Sequence, residues 1–74
     1  MKAINVIYGP EIADNAFIVM APMTDCAVKI HDILRDDEGN EYPIIGADIK
    51  PSEDGNVSLM LMGKPKREKT VLYA

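Results

Sequence analysis

The chain has 74 residues, 47% of them hydrophobic, a formal net charge of −4, one cysteine and one histidine. At this length one domain is the limit, and only about 60% of the unfolded surface can be buried, so the core is small. A lone cysteine excludes an internal disulfide, a Cys/His metal cluster cannot form within one chain, and no apolar run approaches the ~18 residues of a membrane helix.

Residues 2–8 alternate loosely and are rich in β-branched side chains, which predicts a first strand ended by Gly9-Pro10. This opening also lacks the pattern of a secretory signal, and with the single free cysteine it leads us to expect a soluble, cytoplasmic protein. Pro10 followed by Glu11 matches the start of one helical turn over 11–15, with Asp14-Asn15 as its end. So short a helix has no stability of its own. Residues 16–21 (Ala-Phe-Ile-Val-Met-Ala) form a continuous apolar run of strand length, the pattern of a strand buried on both faces. Pro22 stops it, because proline cannot donate to a ladder.

Residues 24–34 fit two periods. As a helix, Thr24 or Asp25 would cap it, and Cys26, Ala27, Ile30, Ile33 and Leu34 would form an apolar stripe. As a strand, Val28, Ile30 and Leu34 would share a face interrupted by Asp32. The next stretch decides for the strand. Residues 33–46 are two apolar arms around the charged, glycine-bearing tip Asp36-Asp37-Glu38-Gly39-Asn40, which reads as a β-hairpin. If Leu34 pairs across that tip, the chain leading into it is extended. In the second arm, residues 42–49, Pro43 belongs at an edge or a strand start and Gly46 at a bulge or tight bend. Residues 51–55 are a turn cluster. Residues 56–63 are the clearest strand: Val57, Leu59 and Leu61 lie on one face, and Ser58, Met60 and Met62 on the other. A polar loop over 64–69 and a short strand over 70–74 complete the chain. Five or six short strands with turns every 8–12 residues predict a small all-β, barrel-like single domain with at most one short helical turn; the alternative is α+β, with a helix at 24–34.

Val28-Lys29-Ile30-His31-Asp32-Ile33-Leu34, the charged turn, residues 42–49 and residues 56–63 together resemble the second, β-barrel domain of translational GTPases. That domain has a strand ending in a Gly-Asp-apolar turn, a hairpin, a valine- and isoleucine-rich strand, and an alternating strand before a basic loop. Here His31-Asp32 stands where the family has Gly-Asp, and the correspondence is carried by Asp32, the hairpin and the alternating strand. The GTPase domain is absent from this sequence, so the resemblance implies no nucleotide chemistry. It implies a free-standing binding module, since in the family this barrel touches RNA and neighbouring domains.

The acidic residues Asp32, Asp36, Asp37, Glu38 and Glu41 do not fit the alternate-position spacing of a calcium loop, and they read as a solvated tip whose charge blocks edge pairing. His31 and Asp32 diverge in a strand or a helix and cannot act on one substrate atom. Cys26 has no basic neighbour in sequence to activate it, which makes it a small core residue. The expectation is therefore no enzyme, no cofactor and no metal.

Two features point to partners. The first is the Met60/Met62 face, which is either a flexible apolar contact surface or a surface covered by a turn over 11–15. The second is charge. Residues 1–63 hold four basic and eleven acidic side chains (−7), whereas 64–74 hold Lys64, Lys66, Arg67 and Lys69 against Glu68 (+3). The basic run could grip phosphates or an acidic protein, or balance the acidic hairpin within the fold. The aromatics are only Tyr8, Phe17, Tyr42 and Tyr73, too few for stacking on single strands. The sequence thus predicts a non-enzymatic module acting through protein–protein contacts at Met60, Met62, Lys64, Lys66, Arg67 and Lys69, as a homo-oligomer or on a regulatory partner. The alternative is an RNA- or ribosome-associated barrel using the basic loop 64–69.

Overall fold

The computed structural model describes residues 2–22, 32–48 and 55–74. They form seven strands: β1 (Ala3–Asn5), β2 (Ile7–Ala13), β3 (Ala16–Pro22), β4 (Ile33–Arg35), β5 (Glu41–Asp48), β6 (Asn56–Met62) and β7 (Val71–Tyr73). All pair antiparallel in one sheet with the order β1-β7-β4-β5-β6-β3-β2. The all-β expectation holds, and no helix occurs among the described residues.

Seven strands arise where six were the upper expectation because the first stretch breaks at Val6 and then runs on. β1 pairs with β7 on one flank and β2 pairs with β3 on the other. The sheet does not close into a barrel, since its edges β1 and β2 do not pair with each other. Instead they are consecutive pieces of chain joined through Val6 alone, and this covalent link brings the two ends of the sheet together.

The helical turn expected over 11–15 is also corrected. Glu11, Ile12 and Ala13 continue β2, and only Asp14-Asn15 turn. Pro10 is tolerated because β2 is an edge strand, with one side free of ladder bonds. Between Tyr8↔Val19 and Glu11↔Phe17 the register shifts, so Gly9 and Pro10 together stand opposite Ile18. Gly9 permits that close approach, since a Cβ there would lie 3.3 Å from the Ile18 carbonyl oxygen.

The central hairpin forms as expected, with Ile33↔Pro43, Leu34↔Tyr42 and Arg35↔Glu41 in register. For residues 24–34, Ile33 and Leu34 are strand, while 23–31, Cys26 and His31 included, lie outside the described residues, as does most of the 51–55 turn. β5 serves two partners, first β4 through Glu41, Tyr42 and Pro43, then β6 from Ile44 onward. Pro43 thus precedes the β6 ladder, and the expected irregularity falls between Ile44 and Gly46.

Ile4, Val6, Phe17, Val19, Ala21, Leu34, Tyr42, Ile44, Leu59, Leu61 and Leu72 make one core on the concave side. The reading of residues 16–21 as buried on both faces fails here. Phe17, Val19 and Ala21 are buried, but Ile18 and Met20 are only half-buried. The sheet is a single curled layer, so each strand has one inner face and one outer face.

Candidate functional site

The outer face of β2, β3, β6 and β5 follows from register, because residues opposite one another across a ladder share a face. One row is Ile7, Met20, Ser58, Asp48; the next is Ile18, Met60, Gly46; the third is Ala13, Ala16, Met62. Except for Ser58 and Asp48 in one corner, every residue in these rows is apolar. Ile7 is 58% exposed and Met62 44%, and Ile45 and Ile12 beside them are 40% and 43% exposed. By contrast, β1, β4 and the start of β5 bring Asn5, Arg35 and Glu41 to the exposed surface.

On the β5–β6 side of the face, reaching its polar corner, is a depression of ≈ 360 Å³ whose lining includes Ile18, Gly46, Ala47, Asp48, Ser58 and Met60. It exists because position 46 carries no side chain. A Cβ there would lie 3.5 Å from Met60 Cβ and 3.7 Å from its Sδ, so the Met60 thioether packs against bare backbone. The sequence left open whether residues 11–15 cover Met60 and Met62. They do not, because residues 11–13 extend the same sheet sideways and enlarge the face.

The acidic tip is built for structure. Gly39 sits at φ 84, where a side chain would be strained, and donates to the Asp36 carbonyl at 3.2 Å, while the Asp36 amide donates to Asn40 O at 3.1 Å. Asp36 is 4% exposed. Its Oδ1 accepts the amides of Glu38 and Asn40, each at 2.9 Å, and its Oδ2 accepts Asn40 Nδ2 at 2.9 Å and the Tyr42 hydroxyl at 3.0 Å. Burial pushes the Asp36 pKa up, but the hydrogen bonds from Asn40, Tyr42 and Glu38 outweigh it and hold the carboxyl at about 2. Burial, together with the bond to this carboxylate, raises the Tyr42 hydroxyl well above its ordinary range. Glu41 pairs with Arg35 at 2.8 Å.

The basic loop divides. Lys69 Nζ reaches Asp37 at 2.8 Å and Glu38 at 3.1 Å, and hydrogen bonds to these two carboxylates raise its pKa. Its carbonyl also accepts the Tyr8 hydroxyl at 2.6 Å. Lys69 therefore ties the loop to the hairpin tip, the balancing role foreseen for the run as a whole. Lys64, Lys66 and Arg67 form no ion pair among the described residues and are separate from Met60 in the ladder. The structure thus joins Met60 and Met62 to Ile7, Ile18, Met20 and Gly46, none of which the sequence singled out as a partner surface. The available signal was the pairing of an apolar run on one strand with an alternating strand bearing methionines.

The chain matches no family model, and no curated protein or solved structure is significantly similar to it.

Proposed function

We propose that this protein is a non-catalytic binding module that docks on another polypeptide through the outer face of β2, β3, β6 and β5. The observation that supports this is the continuous apolar surface of Ile7, Ile18, Met20, Met60, Met62 and Gly46, on the side of a curled sheet away from its own core. Contiguous exposed apolar surface of this kind marks contact sites, and unbranched methionines adapt to a partner's shape. The resemblance to a barrel that touches neighbouring domains in translational GTPases agrees with this use.

The test is Met60→Asp combined with Met62→Asp, with Gly46→Leu as a second variant that fills the depression without adding charge. Both point outward, so circular dichroism and the melting transition should remain those of a folded sheet. The partner captured from the native host, or the earlier-eluting species if the chain associates with itself, should be lost in both. Retention of the same partner and the same elution volume by both folded variants would overturn the proposal.

A second reading, contact with RNA through Lys64, Lys66 and Arg67, rests on those three cations, which lack ion pairs among the described residues. With three phosphates engaged, log affinity for a single strand should fall against log salt with a slope of about −2. Lys66→Gln with Arg67→Gln should remove most of that slope. No mobility shift with RNA at low salt rules the reading out.

A further inference from the structure

We propose that the acidic hairpin tip is an autoinhibitory contact: Asp37 and Glu38 withhold Lys69 from the basic loop, and a single-stranded RNA that displaces them gains Lys69 as a further cation. The proposal rests on the RNA reading above. The cations of the loop differ in one respect. Lys64, Lys66 and Arg67 form no ion pair among the described residues, whereas Lys69 Nζ lies 2.8 Å from Asp37 Oδ1 and 3.1 Å from Glu38 Oε1. Two carboxylates thus stand where phosphate oxygens would. Lys69 nevertheless belongs to the same surface. Its amide donates to the Lys66 carbonyl at 2.9 Å and closes a turn. Such a turn brings its first and last Cα atoms within about 7 Å.

The geometry favours release of the ammonium alone. The Lys69 backbone is pinned: its carbonyl accepts the Tyr8 hydroxyl at 2.6 Å, and the Thr70 carbonyl accepts the Val6 amide at 2.9 Å. The tip is fixed as well, since the buried Asp36 carboxylate accepts the Glu38 and Asn40 amides. Between these two fixed parts, the lysine ammonium on its flexible stem can exchange partners. The contact it leaves is a weak one. Asp37 is 62% exposed and Glu38 55%, and ion pairs with exposed carboxylates are marginal and screened by salt. A strand already held by Lys66 and Arg67 presents its next phosphate to Lys69 at high effective concentration, which a free anion does not.

The probe is an unstructured oligouridine RNA of about twelve nucleotides. It is titrated across a salt series into the full chain and three variants: Lys69→Gln, Asp37→Asn with Glu38→Gln, and all three substitutions together. Circular dichroism checks that each is folded; none alters Asp36, which holds the tip backbone. Three engaged phosphates give a slope of log affinity against log salt of about −2, and four give about −3. The parent and Lys69→Gln should both show about −2, because Lys69 is withheld. The tip variant should reach about −3 and bind at least about tenfold tighter at low salt, and adding Lys69→Gln to it should restore about −2. A general gain from losing two negative charges would appear with or without Lys69. Equal gains in both backgrounds therefore overturn the proposal, as does an unchanged slope in the tip variant or a shallower slope in Lys69→Gln alone. Any of these with binding by the parent leaves the RNA reading standing. No binding by the parent at low salt overturns that reading: binding by the tip variant alone then shows the inhibition to be complete, and binding by neither overturns both.

Discussion

Replacing Asp36 with alanine should lower stability by about 3–4 kcal/mol, the largest effect expected of any single polar residue here. Asp36 is 4% exposed and accepts four hydrogen bonds, from two backbone amides, the Asn40 side chain and the Tyr42 hydroxyl. Hydrogen bonds to a charged group contribute about 1.5–3 kcal/mol each and are not additive, and a buried hydroxyl left without an acceptor costs a further ~1–3 kcal/mol. A domain of this length has roughly 4–11 kcal/mol in all, so the loss is between about a quarter and nearly all of it. Urea denaturation should show the drop as a lower midpoint with little change in slope. A loss under about 1 kcal/mol would mean that water takes the place of the carboxylate. The pH dependence has a definite sign. The folded pKa of about 2 lies below the ordinary 3.8, so the ionised form is favoured by folding. This contribution is fully present above about pH 4 and is lost as pH falls through 4 towards 2. Asp36→Asn should start less stable, because its amide presents a donor where donors already converge, and should show a shallower decline over that window.

The parts of this fold that were legible in the sequence are those set by local chemistry. The Asp36–Asn40 tip carries a glycine where φ is 84, and the hairpin forms around it. β6 alternates cleanly, and its inner and outer faces are as read. The errors occur where distant chain overrides a local signal. Pro10-Glu11 has the form of a helix start, but pairing of Glu11 and Ala13 with β3 holds it extended. The corner at Val6 is invisible because Ile4 and Val6 keep the inward alternation through it. Residues 16–21 are apolar on both faces, which cannot distinguish a strand between two layers from one with a contact surface outside. For the same reason only half of the candidate site was foreseen: Met60 and Met62 were read, but Ile18 and Met20 were assigned to a core. Lys69 could not be told from Lys66 by sequence, since only the fold brings it to Asp37 and Glu38.

Phe17→Ala should cost about 3–5 kcal/mol, a large share of the roughly 4–11 kcal/mol of the whole domain. Phe17 is 0% exposed and is the largest of the fully buried side chains. Its ring stacks on Tyr8 at 5.9 Å and meets Tyr42 edge-on at 5.8 Å. Each neighbour carries a polar handle outward, the Tyr8 hydroxyl to the Lys69 carbonyl and the Tyr42 hydroxyl to Asp36. Phe17 therefore supports from beneath both the loop and the hairpin tip that Lys69 clamps together. Phe17→Leu keeps most of the volume and should cost about 1–2 kcal/mol, leaving a chain that can be measured. Because Tyr42 touches both residues, Phe17→Leu and Asp36→Asn should not be additive; a double-mutant cycle should give a coupling of about 0.5–3 kcal/mol. Strict additivity would show that the core and the tip are independent. The same variant separates the two sides of β3. Ile18 and Met20 point outward whatever fills position 17, so folded Phe17→Leu should dock as the parent does, whereas Met60→Asp with Met62→Asp should lose docking at near-parent stability.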